Sequence, residues 1–319
     1  MTLNRFNILV GLTLISGLLL SCGNNKPKNG RTDTYSKGTV SFVCDSSFCP
    51  IIDEQKEIFE LMYKEAHLKP VYTNEVEGVK MLMDEKVWLA ITTRNFTPQE
   101  TKNLKDRRFL PRAIPLAYDG LALIVNNENP DSCISVKDIK RILSGEVKKW
   151  NEVYPKSKLG DFDVVFDNAQ SSTVRFCVDS ILKGKLISSP LVTAVKRSED
   201  VINYVSSHKG ALGVIGSNWL NDKRDTTNVT FNKNIRVVSV SRLDSATVQN
   251  SWKPYQYYIY NGNYPLVRTI YALLNDPRMG LPSGFAAFLQ SPNGQRIFLR
   301  AGLLPAYGQL NVREVNVSQ

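Results

Sequence analysis

Thr39-Val40-Ser41-Phe42-Val43-Cys44-Asp45-Ser46-Ser47-Phe48-Cys49-Pro50 passes from a β-branched, apolar segment through a pair of serines to a proline. Thr39 to Val43 reads as a strand. Pro50 suits the first position of a helix, which we expect to run to about His67. The same device of strand, hydroxyl cluster and helix returns twice. Val87 to Ile91 leads through Thr92-Thr93-Arg94-Asn95 to a helix opened by Thr97-Pro98-Gln99-Glu100. Val164-Val165-Phe166 leads through Gln170-Ser171-Ser172-Thr173-Val174-Arg175 to a helix ending near Gly184.

Between and beyond these the alternation continues. Pro70 to Thr73 reads as a strand, Glu75 to Lys86 as a helix, Ala117 to Asn126 as a long apolar strand, and Val136 to Leu143 as a helix. Ser198 is placed to cap a helix carrying Val201, Ile202 and Val205 on one face. Gly210 to Gly216 reads as a glycine-flanked strand, and Ser291-Pro292 starts a last helix that Gly302 stops. Such alternation predicts an α/β protein. In a chain of 319 residues with 42% hydrophobic content it predicts two lobes rather than one small sheet.

Residues 1–21 read as a signal peptide. Arg5 precedes a run of 13 apolar or small residues, Ile8 to Leu20, too short for a membrane span of about 20. Leu19-Leu20-Ser21-Cys22-Gly23 resembles the bacterial lipobox, which implies lipidation at Cys22 and attachment at the cell envelope. Residues 22–37 are polar and aperiodic and are expected to form a flexible tether. Export permits disulfides among Cys44, Cys49, Cys133 and Cys177 but selects no pairing, and several are expected to be simply small buried thiols.

A formal charge of +10 suits an anionic ligand or surface without choosing among them. Helix N-termini offer unpaired N–H donors, and hydroxyls both donate and accept, so each of the three clusters suits an oxyanion. Arg94 and Arg175 add planar donor forks. Singly, each cluster need do no more than cap its own helix. Two isolated histidines, no nucleophile elbow and no phosphate-binding ATPase loop leave no catalytic set, no metal and no cofactor to nominate. Nucleic acid is not an expected partner.

From about residue 38 to 310 the chain resembles the phosphate-binding proteins of ABC phosphate importers, of the type II periplasmic-binding-protein-like fold. Cys44 to Pro50 is similar to that family's first loop, Thr93 to Glu100 to its second, and Ser171 to Phe176 to its third. Asp119 to Pro130, Ile139 to Asn151, Gly210 to Gly213, Tyr264 to Arg268 and Ser291 to Gly302 match further segments in the family's order. The resemblance implies two mixed sheets flanked by helices and joined by a two-strand hinge. Lobe I would comprise residues 38–117 and 256–319, and lobe II residues 118–255. It implies ligand binding by Ser46, Ser47, Phe48, Thr93 and Arg94 from the first lobe, and by Asp167, Ser171, Ser172, Thr173 and Arg175 from the second. The implied partners are phosphate, or another oxyanion such as sulfate, molybdate or a phosphonate, and an ABC permease with a separate ATPase. A surface sensor or interaction lipoprotein is the rival reading. Many family members carry an Asp where Arg94 stands and an Arg where Asp167 stands. That exchange predicts weaker phosphate-over-sulfate discrimination unless Asp167 reaches the ligand.

Overall fold

The protein was studied as a computed structural model that describes residues 30–220 and 231–308. Cys22, the leader and residues 22–29 of the expected tether lie outside the described residues. The described residues from Thr34 onward form one compact unit. That unit opens before residue 38. Thr34 N–H donates to Lys37 O at 2.8 Å, and Gly284, having no Cβ, lets the Tyr35 carbonyl lie against it.

In chain order the strands are β1 (Gly38–Asp45), β2 (Ala66–Thr73), β3 (Leu89–Thr92), β4 (Arg112–Asn126), β5 (Cys133–Ser135), β6 (Asp163–Phe166), β7 (Val192–Ala194), β8 (Ala211–Gly216), β9 (Ile235–Val237), β10 (Ser239–Ser241), β11 (Val267–Leu274) and β12 (Leu304–Pro305). The helices are α1 (Cys49–Met62), α2 (Glu75–Met83), α3 (Pro98–Asp106), α4 (Val136–Leu143), α5 (Ser172–Phe176), α6 (Ser198–Ser207), α7 (Gln256–Tyr260), α8 (Leu281–Gln290) and α9 (Pro292–Arg300). The fold is mixed α/β, a curled sheet with helices.

The sheet follows the order β2-β1-β3-β11-β4-β8-β6-β7, with β9 and β12 also on β4. The two expected sheets share β4, whose first part pairs with β11 and whose second part pairs with β8. Strand periodicity sets what each half buries. In β4, Leu121, Leu123 and Val125 enter one core while Ala122 and Ile124 enter another on the opposite face. In β1, Val40, Phe42 and Cys44 face the core of α1, α8 and α9, and Val43 faces α2. Ile259, Tyr264 and Leu266 pack with Leu121 and Leu123, so the second core reaches past residue 256.

Two local expectations change. The helix opened at Pro50 ends at Met62, because residues 66–73 pair in register with β1, Gly38 opposite Ala66, and bury Ala66 and Leu68 alternately. The N-cap of α6 is Arg197 rather than Ser198, whose hydroxyl is used elsewhere. Cys44, Cys49, Cys133 and Cys177 are all free thiols, Cys44 and Cys177 buried, and burial pushes the Cys177 thiol up to about 12.

Candidate functional site

β1 delivers Asp45 to the top of the sheet. Asp45 Oδ1 accepts the Ser47 N–H at 2.9 Å, capping a single 3₁₀ turn, Ser46–Phe48, before α1 begins. The turn aims Ser47 Oγ at Asp167, donating to Oδ2 at 3.0 Å across 120 residues of sequence. The Ser47 carbonyl accepts from Asn218 Nδ2 at 2.9 Å and Trp219 Nε1 at 2.7 Å, both on the turn after β8. Ser46 is half-buried on the same turn.

β6 delivers Asp167. Thr173 Oγ1 donates to its Oδ1 at 2.6 Å and Ser198 Oγ to its Oδ2 at 3.2 Å. Ser171 caps α5 through the Val174 N–H and shares a hydrogen bond of 2.7 Å with Thr173 Oγ1. Ser172 Oγ accepts from Arg268 Nη1 at 2.8 Å. Arg268, on β11, is held by Asp119 of β4, Nε donating to Oδ2 at 2.8 Å, and the two side chains are 2% and 0% exposed. Its guanidinium lies 5.2 Å from the centre of the Phe48 ring. Asp119 Oδ1 accepts in turn from Ser217 N at 2.9 Å and Oγ at 2.8 Å.

The result is a buried network of hydroxyls around Asp45, Asp167 and one guanidinium. Asp167 is held by three hydroxyls and no cation among its hydrogen bonds. Burial pushes the Asp45 carboxyl up, and the nearby Ser172 hydroxyl, the charge of Arg268 and the Ser47 N–H only partly oppose it. Its Oδ2 has no partner among the described residues. Among those residues no group of three or more His, Cys, Asp or Glu is placed to hold a metal.

The second loop is organised differently. Thr93 N and Oγ1 donate to Glu75 Oε2 at 2.9 and 3.0 Å, and Thr92 Oγ1 donates to the same oxygen. Arg175 Nε donates to Glu75 Oε1, while Nη2 reaches Thr93 O at 3.0 Å and Thr93 Oγ1 at 2.9 Å. Burial alone would raise the Glu75 carboxyl; the hydrogen bonds and charge of Arg175, with Thr92 and Thr93, outweigh it and hold it below the usual range. Thr93 and Arg175 are thus brought together, but around a carboxylate of the chain itself.

The expectation for Arg94 is corrected. Its guanidinium meets Glu100 at 2.7 Å through both Nη atoms and Asn95 O at 2.9 Å, and Glu100 also closes the capping box of α3 with Thr97. The acid three residues after a Thr cap claims the nearest cation, so Arg94 is spent within its own loop and forms no exchanged pair with Asp167.

Arg268, Asp119, Glu75, Ser198, Asn218 and Trp219 were not picked out as site residues from sequence. One signal was available: an acid inside the apolar run Leu116 to Val125 demands a buried partner, although nothing local says that it is Arg268.

A family model described as a PBP superfamily domain matches residues 29–293. The chain belongs to the PBP superfamily. A phosphate-binding protein PstS of Staphylococcus epidermidis is 23% identical over 298 residues, 90% of this chain and 85% of that one. Two solved structures share the superfamily fold. One is a putative phosphate ABC transporter substrate-binding protein with bound phosphate from Clostridium perfringens (TM-score 0.69, 18% identity, 85% of this chain and 100% of that chain). The other is an ABC-type phosphate transport receptor from Vibrio cholerae (TM-score 0.64, 20% identity, 83% and 99%). In this PBP superfamily chain the hydroxyl network lies where the ends of β1 and β6 meet the turn after β8.

Proposed function

We propose that the chain is an exported, lipid-anchored solute-binding protein that captures phosphate for an ABC importer whose permease and ATPase are separate chains. The observation that carries the reading is the convergence of Ser47, Ser172 and Thr173, drawn from two distant loops, on one buried cluster with Asp45, Asp167 and Arg268. Hydroxyls serve a ligand that both accepts and donates, and the guanidinium supplies charge to an oxyanion. The relatives' names point the same way. Ser46, Ser47, Phe48, Ser171, Ser172 and Thr173 remain the proposed ligand residues, joined by Arg268. Thr93 and Arg175 are proposed to tie the two halves together.

Two buried carboxylates without an arginine fork, Asp45 and Asp167, favour an anion that brings its own proton. That chemistry supports hydrogen phosphate over the fully ionised sulfate and replaces the expectation of weak discrimination drawn from Arg94. A thermal-shift panel of phosphate, sulfate, molybdate and a phosphonate tests the reading, because a ligand of the folded state raises its stability. Phosphate should give the largest shift, and a flat response to every oxyanion contradicts it. Anchoring is tested separately. Cys22→Ser should lose its acyl mass and leave the membrane fraction, and a mutant that stays membrane-bound contradicts it.

A further inference from the structure

The hydroxyl cluster lies where β1 ends; the opposite end of that half of the sheet is where β1 and β3 begin. β4 also starts there and β11 finishes there, because Leu274 pairs with both Leu89 of β3 and Arg112 of β4. Three loops meet at this end, residues 84–88, 107–111 and 275–280. Asn275 N donates to Trp88 O at 3.0 Å. The Phe109 ring lies 6.1 Å from that of Trp88 and 5.4 Å from the Arg107 guanidinium, and Arg107 pairs with Glu85. Each loop keeps a side chain at left-handed φ, where glycine would sit without steric cost: Glu85 at 58°, Arg108 at 65° and Met279 at 51°.

Leu110, 83% exposed, is the most exposed large hydrophobic among the described residues, and Met279 is 61% exposed. One exposed apolar residue is ordinary; two on adjoining loops, flanked by exposed Arg108, Arg112 and Arg278, mark an interaction surface. Acids at this end are engaged: Glu85 by Arg107, Asp84 by Lys86 at 3.9 Å, and Asp106 by Lys102 at 2.7 Å. Asp276 accepts from Gly280 N at 2.7 Å and Ser283 Oγ at 3.0 Å. The compact unit also begins at this end. Gly38 opens β1, and the Tyr35 carbonyl lies against Gly284 in the first turn of α8, just past Met279. Cys22 stands twelve residues before Thr34, so a lipid there can be no farther than about 40 Å along the chain. Tethering raises the effective concentration of the bilayer, so even a weak contact is populated.

Resting on the lipid-anchored reading above, we propose that the 107–112 and 277–280 segments form a face that docks on an anionic bilayer. Leu110 and Met279 enter the interface, and Arg108, Arg112 and Arg278 meet the headgroup phosphates. β1 then runs away from the lipid, and the hydroxyl cluster at its far end is held off the membrane surface.

Amide hydrogen exchange of the lipidated full chain, in phosphatidylcholine vesicles with and without phosphatidylglycerol, tests the face. Leu186 supplies an internal control: it is 79% exposed beside exposed Lys183 and Lys185, but it leads into β7 at the other edge of the sheet. With phosphatidylglycerol, amides of 107–112 and 277–280 should exchange at least about threefold more slowly, and those of 183–187 at an unchanged rate. Arg108→Gly combined with Leu110→Ser suits the positive φ and the exposure, so the variant should stay folded by circular dichroism and exchange alike in both vesicles. Equal wild-type rates in both vesicles, slowing at 183–187 as well, or slowing that survives in the double variant overturns the face alone. The acyl mass of the same sample is measured first; a Cys22 without it overturns the anchoring reading and the face with it.

Discussion

Asp45 carries opposite demands on its two oxygens: one caps the Ser46–Phe48 turn and the other is buried without a partner among the described residues. Asparagine caps equally well and carries no charge, so Asp45→Asn should raise stability at pH 7 by about 1 kcal/mol. The sign with pH follows from the raised carboxyl. The folded state holds the proton to higher pH than the unfolded chain does. The wild-type penalty is therefore absent below about pH 4 and grows as pH rises through the folded-state value. Thermal melts from pH 4 to 8 should show the variant's advantage appearing as pH rises; a constant difference contradicts the assignment. Arg94→Ala tests the correction. It should cost no more than about 1 kcal/mol of stability, from its partly exposed pair with Glu100, and leave phosphate titration unchanged. A loss of affinity would return Arg94 to the site. At this scale the sequence shows local grammar, such as Ser47 after a strand and Ser171 before a helix. It does not show that Arg268 meets Asp119 across 149 residues, since that pair is made by strand register alone.

Among the elements, β4 and the short segments flanking it do the positioning. The Val136–Leu143 helix was legible to the residue because a Ser cap opens it and its apolar positions recur at helical spacing. The end of α1 was not, since the residues after Met62 have no helix breaker and are drawn into β2 by pairing with β1. The third helix was expected to run on to about Gly184, and it does so in two parts: α5 passes without a break into a π-helix, Cys177–Ile181, capped at Leu182. Glu75, at the start of α2, links that element to β3 and α5 through Thr92, Thr93 and Arg175. Breaking a buried pair strands the remaining charge, so Glu75→Gln should cost about 3 kcal/mol at neutral pH. Because the Glu75 carboxyl is lowered, its contribution is present above about pH 4.5 and is lost as pH falls through the folded-state value. Denaturant titrations at pH 7 and pH 3 should show the wild-type advantage shrinking on acidification; an equal gap at both contradicts a charged latch.

Across the whole molecule, the α/β class was legible from β/α alternation, whereas the placement of the third loop beside the first was implied only by the family resemblance, because each cluster read by itself need only cap its own helix. The sharing of β4 between two halves was likewise implied only by the resemblance of Asp119 to Pro130 to the family's domain-crossing strand, since a strand's partners lie outside its own pattern. The halves are held together here by Glu75–Arg175, by Asn218 and Trp219 on the Ser47 carbonyl, and by Ser47–Asp167. Phosphate is proposed to favour this closed arrangement, so X-ray scattering should give a smaller radius of gyration with saturating phosphate. An unchanged profile despite confirmed binding would mean a preclosed pocket. The central claim is that the cluster of Ser47, Ser172, Thr173 and Arg268 is a phosphate site, and calorimetric titration of phosphate into wild-type protein and Ser47→Ala tests it most directly. The account predicts saturable one-to-one binding by the wild type, with sulfate weaker by at least about tenfold, and a loss of about tenfold or more in Ser47→Ala. No phosphate binding by the wild type, or a Ser47→Ala protein that binds as tightly, would contradict it.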